Sequence, residues 1–237
     1  MFADVAAARE TLSEYFYEES VDMLLGHLRP AIAFEPIEGS KQPGLGATRL
    51  GGTPDLPAEK PWPVRPGPVN ADAIAARGGH RHGGHISRHL ASARPFEFIA
   101  QVDLAEAARL GDIAADLPNE GRLLFFYDVS VGPWHDGAES CRVVWDNSPV
   151  ASLTRLLLPE ALIDLHVEEY ALAGGTRCDR SAVNENATSS YWGPARAMRL
   201  NTMLRLPDWR SAEWQRGDPL ADQSLVAALK DEEKSPT

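Results

Sequence analysis

The chain has 237 residues, with 34 acidic against 23 basic side chains and a formal net charge of −11. Hydrophobic residues at 43% and charged residues at 24% are the proportions of a folded domain, so disorder of the whole chain is excluded. The acidic balance also disfavours nucleic acid as a partner, because that recognition needs a basic footprint.

In chain order, residues 4–29 place Val5, Leu12, Tyr15, Phe16, Leu24, Leu25 and Leu28 near helical spacing, with Glu10, Glu14, Glu18 and Glu19 between them. This pattern predicts an amphipathic packing helix that Pro30 ends. Nine of the 18 prolines then fall between Pro30 and Pro68, and ten of the 19 glycines between Gly39 and Gly84. Such density opposes a long helix or a central strand, so an ordered crossover with short edge strands at 31–37 and 47–50 is expected. Residues 66–92 are small, polar and rich in His and Gly, and read as a mobile loop that adds little core.

From Phe96 onward strands dominate the pattern. Segments 96–102, 122–129, 141–145, 163–170 and 196–206 are aromatic or β-branched and predict strands. Leu104 to Asp116 and Gln223 to Lys230 predict short helices, and Pro133 to Gly137 a turn. A leading helix, a coil and then strands with sparse helices make the chain α+β, with a mostly antiparallel sheet, in one domain spanning 1–237. The N-terminus lacks a basic region followed by an apolar stretch, and no apolar run approaches the ~20 residues of a membrane span, so a cytoplasmic chain is expected.

The motifs that punctuate this layout carry a resemblance. Gly51-Gly52-Thr53-Pro54-Asp55-Leu56-Pro57 is followed by Trp62-Pro63, then by Phe98-Ile99-Ala100-Gln101-Val102-Asp103-Leu104. Leu117-Pro118-Asn119-Glu120-Gly121-Arg122-Leu123-Leu124-Phe125-Phe126-Tyr127-Asp128 completes the series. In this order the motifs resemble the YwqG-like family of bacterial proteins of unknown function, over residues 45–146. Against that family, the stretch at 75–92 is an insertion and the part at 195–237 is shortened or diverged. The resemblance implies a bacterial protein with no activity to transfer. It also implies a connection to toxin–immunity and secretion neighbourhoods, hence protein binding. Independently of it, Gly51-Gly52 suits positive φ or close backbone approach, and the surrounding prolines hold an extended path that can lay Trp62 on a sheet.

Three constellations could carry chemistry. His80, His82, His85 and His89 are four of the seven histidines within ten residues, a spacing that could take Zn or Ni. No Cys or carboxylate lies within that cluster, and Arg81 and Arg88 repel a cation. The second is the corner at Asp128 with Trp134, His135 and Asp136, where carboxylate, imidazole and indole converge; Trp62 and Gln101 join it as candidate binding residues. The third pairs Cys141 with His135 or His166, but Cys141 heads a core strand and Cys178 has no surrounding signature, so neither cysteine defines a catalytic site. Gly46 to Thr53 copies a phosphate loop without its lysine and is set aside. The reading that follows is a non-catalytic module binding a basic protein partner, with no cofactor. Its alternative is a metal-binding or hydrolase-like protein using the His-rich stretch or the Asp128/His135 corner.

Overall fold

The computed structural model describes residues 1–39, 42–67, 70–91, 93–132, 138–172 and 194–207, with backbone alone at 80–82, 138, 166 and 168–172. Trp134, His135, Asp136, Cys178 and the expected helix at 223–230 lie outside the described residues. The chain divides into two compact units.

Among the described residues, the smaller unit comprises 1–34, 110–116 and 200–207. The single helix expected over 4–29 is two helices, α1 (Val5–Ser13) and α2 (Glu18–Leu25). Asp4 starts α1, its Oδ1 accepting the Ala7 N–H at 2.8 Å, and Glu18 and Glu19 suit the positive end of α2. Leu12, Val21 and Leu24 bury between them, with Phe2, Phe16 and Leu206 packed alongside.

The larger unit, residues 35–109 and 117–199, holds the sheet. Its strands are β1 (Arg29–Pro36), β2 (Arg49–Leu50), β3 (Asp55–Pro57), β4 (Glu97–Asp103), β5 (Arg122–Tyr127), β6 (Cys141–Asp146), β7 (Leu153–Arg155) and β8 (Arg196–Arg205), with β1 and β8 entering by residues 35–36 and 196–199. Six of them run in the order β1-β8-β2-β4-β5-β6, while β3 and β7 form a separate antiparallel pair. The pairs β8–β2, β2–β4, β4–β5 and β5–β6 are all antiparallel, as the expected α+β class requires. A bulge at Ile99 shifts the β4–β5 register, and the Ile99 carbonyl accepts the Gly51 N–H at 2.9 Å.

One face of the sheet carries Phe98, Leu124 and Phe126, which pack with Leu56 and Phe96 into the main core. Trp62 closes this core: its ring meets Phe126 edge-on at 5.9 Å and its Nε1 donates to the Phe96 carbonyl at 2.8 Å. The proline path therefore lays Trp62 on the sheet as expected. Gly51 and Gly52 take φ of 71° and 70°, and a Cβ on Gly52 would lie 2.8 Å from the Ala195 Cβ.

Three further expectations about elements are corrected. The segment 66–92, expected to loop, contains α3 (Ala71–Arg77) and α4 (Gly79–Leu90). Ile74 and Ala75 of the first and Ile86 and Leu90 of the second bury with Val131, a core that the glycines masked in the sequence. The strand expected at 163–170 is part of helix α6 (Glu160–Leu172), where Leu162 and Leu165 bury on one face with Ile163 and the preceding Leu158. The β-branched Ile163 and Val167 suggested the strand; Pro159 fixes the helix start instead, its carbonyl accepting the Leu162 and Ile163 N–H groups. Likewise, Leu104 to Asp116 is a short helix α5 (Leu104–Ala108) and one 3-10 turn rather than a continuous helix.

Candidate functional site

Three polar assemblies and one groove are built on this sheet, all within the larger unit. The first assembly occupies the Gly-Gly-Pro motif. Arg49 on β2 and Asp55 at the start of β3 are 0% exposed, and Arg49 Nη1 meets Asp55 Oδ2 at 2.6 Å. Arg155 of β7 donates from Nε to Asp55 Oδ1 at 3.1 Å, and the Gly46 N–H donates to Oδ2 at 2.9 Å. Gln101 bridges the two halves: its Nε2 donates to Asp55 Oδ2 at 3.2 Å and to the Ala47 carbonyl at 3.1 Å, and its Oε1 accepts the Asp55 N–H at 3.2 Å. The Arg49 guanidinium also donates to the Thr53 carbonyl and lies 5.6 Å from the Phe98 ring centre. Burial alone would push the Asp55 carboxyl up; the Arg49 charge and hydrogen bond, with help from Arg155 and Gly46, hold it below the usual carboxylate range. Where the sequence copied a phosphate loop, the cation is Arg49 and its anion is internal.

The second assembly joins Asp146, at the end of β6, to Lys60, Arg122 and Ser148. Lys60 Nζ lies 2.8 Å from Oδ1, Ser148 Oγ donates to Oδ1 at 2.7 Å, and Arg122 Nη2 donates to Oδ2. Burial again opposes ionisation, but these donors lower the Asp146 pKa to about 2.

The third assembly connects two groups that the sequence offered separately. Asp128 follows β5, and His89 lies on α4. His89 Nε2 approaches Asp128 Oδ1 at 3.0 Å, and Arg65 Nε approaches Oδ2 at 2.8 Å, with all three residues buried. The Val131 N–H donates to Oδ1 at 3.1 Å, and the Gly132 N–H to the Asp128 carbonyl at 2.7 Å, so the carboxylate is aimed by its own turn. His89 Nδ1 has no hydrogen-bond partner among the described residues. His89 Nε2 is thereby engaged with a carboxylate that also holds Arg65, which opposes a cation at that nitrogen. His85 lies one helical turn away, its ring centre 6.4 Å from that of His89. The side chains of His80 and His82 lie outside the described residues, and no group of three His, Cys, Asp or Glu with metal-holding geometry occurs among the described ones.

The groove lies where β6 meets the proline path. It measures about 810 Å³ and is lined by Trp62, Pro63, Val64, Phe96, Arg142 and Val144 among others. Cys141, expected as a core residue, lines it too and is exposed. It heads an edge strand rather than a central one, which removes the packing that the sequence implied. Of the six candidate binding residues, Trp62 belongs to this groove, Gln101 to the Asp55 assembly and Asp128 to the His89 assembly.

β6 ends the sheet. It pairs with β5 over six residues, Arg122 to Tyr127 against Asp146 to Cys141, and no strand among the described residues pairs with its other edge. Val143 and Trp145 on it are 52% and 51% exposed, beside the half-buried Leu123 and Phe125 of β5. Among the described residues, no helix is long and apolar enough to cross a membrane.

Fold and site together define an α+β protein whose antiparallel sheet is locked by buried ion pairs and ends in an apolar edge beside a groove. The model of the family described as a domain of unknown function, DUF1963, matches residues 48–218, and the chain belongs to that family. The match spans Arg49, the groove and β6. No curated protein matches the chain.

Proposed function

We propose that this chain is a non-catalytic protein-binding module whose binding face is the β6 edge and the adjoining Trp62 groove. The carrying observation is the β6 edge, which no strand among the described residues covers. Soluble proteins blunt such edges with lysine, proline, bulges or very short strands. β6 has six residues, Cys-Arg-Val-Val-Trp-Asp, with Arg142 as its exposed charge, neither lysine nor proline, and no register shift in its pairing with β5. Its exposed Val143 and Trp145 continue into an apolar sheet face, which is what a partner surface requires.

The three buried polar assemblies serve this reading as scaffold. Each ties a loop to the sheet, and their side chains point at one another instead of converging on a cavity. The reading needs no cofactor, fits a cytoplasmic chain, and agrees with the protein-binding role that a YwqG-like resemblance implies. A partner encoded beside this chain in a toxin–immunity or secretion neighbourhood is the first to examine.

The test compares the wild-type chain with the double variant Val143→Asp/Trp145→Asp, both immobilised untagged on native lysate. Both positions are half exposed, so the variant should unfold at a urea midpoint close to the wild type's. The wild type should recover a partner that the variant loses. Repeated recovery of no partner, or equal recovery by both chains, defeats the reading.

A further inference from the structure

We infer that the hairpin α3–α4 is a latch on the Trp62 groove, so that unseating the hairpin frees one wall of the groove; its use as regulation rests on the binding reading above. Chain connectivity supplies the first argument. Val64 bridges Pro95 in the antiparallel sense, with the Arg65 N–H donating to the Arg94 carbonyl at 2.8 Å and the Phe96 N–H to the Pro63 carbonyl at 3.0 Å. These two short arms make a ribbon, and Pro63, Val64, Pro66 and Phe96 on it line the groove. α3 begins at Ala71, just after the first arm, and α4 ends at Leu90, just before the second. The hairpin is therefore the closed end of the ribbon that walls the groove.

The attachments of the ribbon supply the second. At its root, Trp62 meets Phe126 and donates to the Phe96 carbonyl, and the second arm runs directly into β4. Nearer the hairpin, extended backbone turns Arg65 away from the half-exposed Val64 and into the interior. There its Nε approaches Asp128 Oδ2 at 2.8 Å, while His89 Nε2 of α4 approaches Oδ1 of the same carboxylate at 3.0 Å. One carboxylate thus clasps ribbon and hairpin together. It is aimed by the N–H of Val131, the residue with which Ile74, Ile86 and Leu90 of the hairpin also pack.

Energetics decide which part gives first. Gly79, Gly83 and Gly84 lie within α4 and are poor helix formers, so the hairpin depends on the clasp and on its small apolar cluster. Segments seated by few buried contacts open below the global limit, whereas β4 and β5 are held by the main core. When α4 leaves, Val131 loses its packing partners and water reaches the Asp128–Arg65 pair, which in solvent holds little. The ribbon then keeps its root on Trp62 and loses its hold on Asp128. By linkage, an occupant that needs the seated wall also stabilises the hairpin.

Native-state amide exchange of the full chain, followed by NMR with no partner present, tests the latch. The Arg65 and Phe96 N–H groups report the ribbon, residues 79–90 report α4, and Leu124 and Phe126 report the sheet. In Ile86→Ala, exchange at Arg65 and Phe96 should rise about tenfold or more together with that of 79–90, while Leu124 and Phe126 keep their wild-type rates. His89→Leu removes the clasp, keeps the apolar cluster and should act in the same direction; it carries the test if Ile86→Ala does not fold. Wild-type rates at Arg65 and Phe96 in the folded variants overturn the latch, and so does an equal rise at Leu124 and Phe126. Because no partner takes part, failure to recover one from lysate would remove the regulatory use and leave the latch itself standing.

Discussion

Asp55 shows how a single buried carboxylate organises a family motif. Arg49 and Arg155 both converge on it, and Gln101 closes the remaining hydrogen bonds. Replacing it by Asn keeps the shape but strands two guanidiniums, and Arg49 is wholly buried. The expected cost is about 3–5 kcal/mol, the range for breaking a buried pair from one side. Urea unfolding checks it; a loss below about 1 kcal/mol would mean that water already screens the site. Asp146 adds a pH dependence whose sign is fixed. Its folded pKa of about 2 lies below the ordinary value of 3.8, so its contribution is complete above that ordinary value and fades as the pH falls through about 2. The difference corresponds to roughly 2 kcal/mol at neutral pH. Wild type and Asp146→Asn should therefore differ most in urea midpoint near neutrality and converge as the pH falls from about 5 to about 2. A gap independent of pH would refute the assignment. At this scale the sequence disclosed residue types but not pairings. Asp128 and His89 were both visible as chemistry-bearing residues, yet 39 positions of chain separate them, and only the α4 fold brings them to 3.0 Å. Arg49 was hidden inside a glycine motif that drew attention to its backbone.

At the scale of elements, legibility followed hydrophobic density. β4, β5 and β6 were plain from aromatic and β-branched runs, and each observed strand lies within about two residues of its expected ends. The hairpin α3–α4 was not, because Gly78, Gly79, Gly83 and Gly84 carry poor helix propensity and the apolar anchors are few. Tertiary burial overrides that propensity: Ile86 is 0% exposed and packs on Ile74 and Val131. Gly83 has a packing reason as well, since a Cβ there would lie 2.9 Å from the Ala75 carbonyl. A helix so poor in intrinsic propensity depends on those few contacts. Ile86→Ala should cost about 2–4 kcal/mol, and amide exchange should rise first across 79–90 while Leu124 and Phe126 stay protected. Equal loss of protection on β5 would show that the hairpin and sheet open as one.

For the whole molecule, the net charge of −11 restrains the exposed edge. An apolar strand edge is an invitation to pair with copies of itself, and mutual repulsion between acidic chains is what keeps such copies apart. That repulsion vanishes near the isoelectric point, about 5.1 for this sequence. Asp146 and Asp55 both stay ionised at that pH because their carboxyls are held below the ordinary range, so the sheet is intact when the charge is lost. The edge is then folded, exposed and unshielded at once. Light scattering of the wild-type chain should accordingly rise in a band around pH 5 and fall again on either side. Val143→Lys puts a charge on the edge, at a half-exposed position that leaves the core untouched, and should suppress that band while changing the isoelectric point only slightly. If Val143→Lys scatters as strongly as wild type, with its maximum merely displaced to the new isoelectric point, self-association runs through some other surface and β6 is not the exposed edge that governs it.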